Sequence, residues 1–164
     1  MTDLDHEKIF LRAGAPWPPG GEVFEGSLQD EIPITDALRD AGWQRMFFAH
    51  AQGIDASEAT TNLLKPHEYI HPFVVLRVGL NFQMPGHRTS RDLDATLRWL
   101  QPRLLVRAEV SLTGAWVLQG RCPFYVDGGA RFRVLLSCAP GAAPREPAPP
   151  ITARCVLDSL IVRR

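Results

Sequence analysis

The residues His67-Glu68-Tyr69-Ile70-His71 spell H-E-x-x-H, the one stretch of the chain with a recognisable catalytic pattern. Within a helix, positions i and i+4 share a face, so the imidazoles of His67 and His71 would reach one zinc ion while Glu68 polarised the metal-bound water. That chemistry depends on the helix. Pro66 suits a helix start, but Pro72 directly follows the second histidine and holds His71 out of the α region, and a strand pattern begins at once. The third ligand is not spelled nearby. His67, His71 and His87 would converge only inside a β-barrel, as in cupin-type sites, whose ligand spacing differs. The reading preferred here has both histidines flanking a strand, with no cofactor. A zinc-dependent hydrolase using Glu68, His67 and His71 is the alternative.

Nucleophilic catalysis has weaker support: no G-x-S-x-G is present, and no serine or cysteine has a histidine beside it. Cys122, Cys138 and Cys155 are odd in number and lack C-x-x-C spacing, which fits neither a disulfide framework nor a zinc knuckle. Each falls on an apolar strand face and reads as a small core hydrophobe. The remaining candidates are binding residues. Arg88 precedes Thr89 and Ser90 at an expected helix start, where backbone N–H groups hold anions. Arg131 and Arg133 share an outward strand face, and the Asp127-Gly128-Gly129 turn would bring Arg121 beside them as a small basic patch. Trp17, Trp43 and Tyr69 are aromatic surfaces for a sugar or other small molecule, although Trp17 reads first as a plug closing one end of the core.

These residues must be positioned by a chain of 164 residues, enough for one domain (1–164) with a real core. The apolar share of 45% and charged share of 22% are ordinary for a globular protein. Eighteen basic and eighteen acidic residues cancel, so no net field recruits nucleic acid or an anionic membrane. No apolar run is long enough to span a bilayer, and the acidic start M-T-D-L-D-H-E-K lacks the pattern of a signal peptide, so a cytoplasmic location is expected.

Along the chain, Lys8 to Arg12 reads as a short strand, and the Pro/Gly-rich stretch 14–21 as a loop. Glu22 to Leu28 reads as a second, weak strand. Thr35 caps an expected helix carrying Leu38, Ala41, Met46 and Ala49, and Asp55-x-x-Glu58 opens another that Pro66 closes. From Phe73 the residues Val74, Leu76, Val78, Leu80 and Phe82 alternate against Arg77, Gly79, Asn81 and Gln83, the period of a half-buried strand. Ser90 caps a helix over Arg91 to Gln101 that Pro102 ends. Leu104 to Leu112, Trp116 to Val126, Arg131 to Cys138 and Ile151 to Val162 read as strands. The last is apolar on both faces, as in a central strand or one with a bulge. The proline-rich loop 139–150 is expected to be extended.

The strand Leu104 to Leu112, Trp116 opening the next, Phe124 ending it and the closing Cys155-Val156-Leu157-Asp158-Ser159-Leu160-Ile161-Val162 resemble the jelly-roll carbohydrate-binding modules of the galactose-binding-like class, over about the last sixty residues. The resemblance implies a β-sandwich with a ligand face or loop site and a structural calcium ion. The expected class is α+β and β-dominated: an antiparallel β-sandwich or strongly curved sheet with two to three short helices packed at one face or end. The expected function is non-catalytic binding of a sugar, another small molecule or a protein partner. A structural or assembly subunit remains a third reading.

Overall fold

The computed structural model describes residues 2–18, 22–34, 42–48, 71–83, 97–111, 113–142 and 151–163. Their architecture is an antiparallel β-sandwich. Among the described residues, helix α1 (Asp3–Arg12) is followed by eight strands: β1 (Glu22–Ile34), β2 (Trp43–Phe47), β3 (Phe73–Gln83), β4 (Leu104–Ser111), β5 (Val117–Gln119), β6 (Phe124–Val126), β7 (Arg131–Cys138) and β8 (Ile151–Arg163). One sheet has the order β1-β8-β3-β6 and the other β2-β7-β4-β5. The first half of the chain thus pairs with the second in reverse, β1 with β8, β2 with β7, β3 with β6 and β4 with β5, and successive pairs alternate between the sheets. The path is a long two-stranded ribbon wound around a common interior.

That interior holds inward-facing side chains of both sheets. Phe132 of β7 is its hub, with Phe48, Phe73 and Phe124 ring centroids 5.7, 5.8 and 6.2 Å away, drawn from both sheets. β8 is central in its sheet, which explains its two apolar faces: Ile151, Ala153, Cys155 and Leu157 face the interior, while Leu160 and Val162 face outward beneath α1.

A bulge in β3 changes the expected alternation. Register slips between Val75 and Arg77 against β8, so that Phe73 and Val75 are interior before it and Val78, Leu80 and Phe82 after it. Val74 and Leu76, expected on the same face as Val78, pack outward with α1 instead. One extra residue reverses the parity of everything beyond it.

Residues 8–12 belong to α1, correcting the strand expected there. Thr2 and Asp5 form a capping box, with the Asp5 N–H donating to Thr2 Oγ1 (3.3 Å) and the Thr2 N–H to Asp5 Oδ2 (3.1 Å). The Thr2 N–H first, and then the Thr2 hydroxyl at 2.8 Å, both donating to Asp5 Oδ2, hold the Asp5 carboxyl below its usual range. Helical spacing then places His6, Ile9, Phe10 and Ala13 toward the sheet. Likewise residues 43–47 form β2, not the helix expected to run through Met46. Gly42 sets its start with φ +76°, where a Cβ would lie 2.7 Å from the Cys138 carbonyl oxygen. The second weak strand is longer than expected, because β1 pairs with β8 over its whole length. The helices expected to start at Thr35 and at Asp55 otherwise lie outside the described residues, as does the start of the one at Arg91. Residues 97–100 are helical and pass into a 3₁₀ turn, Gln101–Arg103. Trp99 Nε1 donates to the Ala142 carbonyl (2.8 Å), and the Arg103 guanidinium covers the Trp99 ring at 4.6 Å. Among the described residues, no helix is long and apolar enough to cross a membrane.

Candidate functional site

The run Trp116 to Val126, expected to be one strand, is broken. β5 ends at Gln119 in one sheet, Gly120 to Pro123 cross the sandwich, and β6 begins at Phe124 in the other. Pro123 has no N–H to give a ladder, and Gly120 leaves the backbone free to turn. The crossing lines one side of a half-open cavity of about 250 Å³ between the sheets. β3 contributes Val78 and Leu80, which reach it only because of the bulge, and β4 contributes Val106 and Ala108. The end of β5 supplies Gln119, the crossing supplies Gly120, Arg121 and Cys122, and Phe124 of β6 forms part of the wall. The surroundings are aliphatic and aromatic, with three polar side chains gathered on one segment.

Cys122 is exposed at this crossing, which corrects its assignment to the core: the strand that would have pointed it inward stops three residues earlier. Desolvation pushes its thiol up, and a backbone hydrogen bond with Val78 opposes the shift. Cys138 and Cys155 are buried as expected. Desolvation also raises the Cys138 thiol, against the pull of Arg103. That of Cys155 is pushed up to about 12, by burial first and by the Asp30 carboxylate second. All three thiols are shifted up, the opposite of the lowered pKa that activates a nucleophilic cysteine.

The expected basic patch divides. β6 and β7 lie in different sheets, so the Asp127 turn, closed by Ala130 N–H to the Asp127 carbonyl at 3.1 Å, joins sheets and is no hairpin. Arg121 therefore stands at the cavity, apart from the pair on β7. Arg131 and Arg133 stack on Trp116, their guanidinium carbons 5.5 and 3.9 Å from the ring centroid, and Arg133 Nη2 pairs with Glu109 Oε1 at 3.2 Å.

Trp17 sets its ring edge-to-face with Phe10 at 5.2 Å and stays 37% exposed. Trp43 is buried at the start of β2, with the Arg45 guanidinium 5.6 Å from its ring. His71 is half-buried at the bend before β3. His67, Glu68, Tyr69, His87 and Arg88 lie outside the described residues. Among the described residues, no three His, Cys, Asp or Glu side chains group to hold a metal ion.

Of the cavity-lining residues, sequence reasoning singled out only Arg121 as a binding residue. The signal for the others was the pair Gly120 and Pro123 inside an apparent strand, which marks a break. No protein-family model matches the chain, and no significant match to it exists among curated proteins or solved structures.

Proposed function

We propose that the chain is a non-catalytic ligand-binding domain that holds a small molecule between its two sheets. The observation that carries this reading is the cavity of about 250 Å³ lined by Val78, Leu80, Val106, Ala108 and Phe124, with its polar groups confined to one segment. Ligand sites are typically concave and mostly apolar, with a few convergent polar groups, and this one is slightly smaller than their usual volumes. The strand order supports a jelly-roll arrangement, in which eight strands form two Greek keys, and the open ends of closed β folds are among the places where ligands bind. Fold alone does not fix the ligand.

For a sugar, the described tryptophans offer little platform. Trp43 is buried, Trp116 carries two guanidinium groups, and Trp17 packs on Phe10. The lining favours an apolar body. The test is calorimetric titration with hexan-1-ol and benzyl alcohol on the wild-type protein and on Val106→Trp. Val106 is 37% exposed at the cavity, so the larger side chain can enter without displacing the packed core. Saturable binding by wild type and its loss in the variant is the expected result. Equal binding by both would place the ligand elsewhere.

A further inference from the structure

We infer that the ligand of this cavity is a small apolar anion, an aliphatic or aromatic carboxylate of about eight to ten non-hydrogen atoms, whose charged head is held by Arg121. The inference rests on the cavity being the binding site and adds the chemistry of what it takes. Three observations carry it.

The first is charge. None of the described residues lining the cavity is acidic, and Arg121 is the one charged side chain among them. The second is how the other candidate arginines are used. Arg133 is held by Glu109 and Trp116, and Arg131 by Trp116, whereas Arg121 has no carboxylate or aromatic partner among the described residues. A guanidinium is a planar fork of donors suited to two carboxylate oxygens, and Arg121 stands where an apolar cavity meets solvent. Gln119 adds a second polar end at the same segment, with its Nε2 already donating to the Val117 carbonyl at 3.1 Å.

The third is size. At about 30 Å³ for each water, the volume of about 250 Å³ corresponds to about eight waters. An apolar cavity of about 150 Å³ accepts benzene, so the larger space leaves room for a carboxylate or a few methylenes beyond a ring.

The experiment compares hexanoate and benzoate with their neutral counterparts hexan-1-ol and benzyl alcohol, by calorimetry at low salt on wild type, Arg121→Gln and Arg121→Lys. Arg121 is exposed, so neither substitution threatens the fold; thermal melts of the three proteins verify this. Each acid should bind wild type at least tenfold more tightly than its alcohol. Arg121→Gln should remove that advantage, weakening the acids at least tenfold more than the alcohols, and Arg121→Lys should restore part of it. If the alcohols bind as well as the acids, or if Arg121→Gln leaves the advantage intact, the assignment of an anionic ligand is wrong while the cavity site stands. If neither acids nor alcohols bind, the cavity reading fails and this assignment falls with it.

Discussion

Asp30 places a carboxylate in the interior of the sandwich, and two backbone donors meet it there: the Phe48 N–H at 2.7 Å and the Glu31 N–H at 2.9 Å. Phe48 is itself unusual, a bulky residue at φ +60° just past the end of β2, so the carboxylate of one sheet fixes a strained turn leaving the other. Replacing Asp30 with Ala leaves a buried N–H without its acceptor and should cost about 3 kcal/mol in urea unfolding, with Asp30→Asn costing less because one acceptor oxygen remains. A change below about 0.5 kcal/mol for the alanine variant would refute that role. Cys155 lies opposite Asp30 in register. Its thiol rises from an ordinary 9.0 to about 12 in the folded protein, so between those values the unfolded chain loses a proton that the folded one keeps. Stability from this group is therefore complete below about pH 9 and is lost as pH rises toward 12. Cys155→Val should flatten the alkaline fall in melting temperature, and an unchanged slope would contradict the assignment. In the native protein an alkylating agent should modify Cys122 well before Cys138 and Cys155, as mass spectrometry would read directly.

At the scale of elements, inward alternation on β7 and the double apolar character of β8 were legible, because both strands are central and their neighbours impose the pattern. Three features were not. The β3 bulge leaves no mark in the residue types of F-V-V-L-R-V-G-L, since either parity is apolar there. The apolar stretch K-I-F-L-R suits a strand or a short helix, and only the Thr2–Asp5 cap upstream decides for α1. Trp116 to Val126 keeps its alternation across a break, so the period survived while the strand did not. Phe132 shows what the sandwich depends on, because its ring touches aromatic neighbours on both sheets. Phe132→Ala should lower unfolding free energy by about 3–5 kcal/mol, measured by denaturant titration. A loss near 1 kcal/mol would mean that the interior collapses around the gap and that the aromatic hub is dispensable.

At the scale of the whole molecule, the ribbon winding explains why the cavity was hardest to foresee. A cavity between sheets is built from residues far apart in sequence: Leu80, Ala108, Arg121 and Phe124 meet only once β3 and β4 have been assigned to opposite sheets. Arg121 stood out in the sequence as a candidate, but its expected neighbours were Arg131 and Arg133, because the Asp127-Gly128-Gly129 turn has the composition of a hairpin. Turn chemistry specifies the reversal of the chain and not which sheet receives it. The same winding gathers the polar side chains of the cavity at one segment, opposite the apolar wall of Val78, Leu80 and Phe124.

The most direct measurement is a ¹⁵N–¹H NMR titration of the protein with hexanoate. Binding between the sheets requires saturable shifts concentrated at the amides of Leu80, Ala108, Gln119, Arg121 and Phe124, lost in Val106→Trp. Shifts centred on the Trp116 face or on α1, or no saturable shift at all, would contradict a ligand site in the cavity.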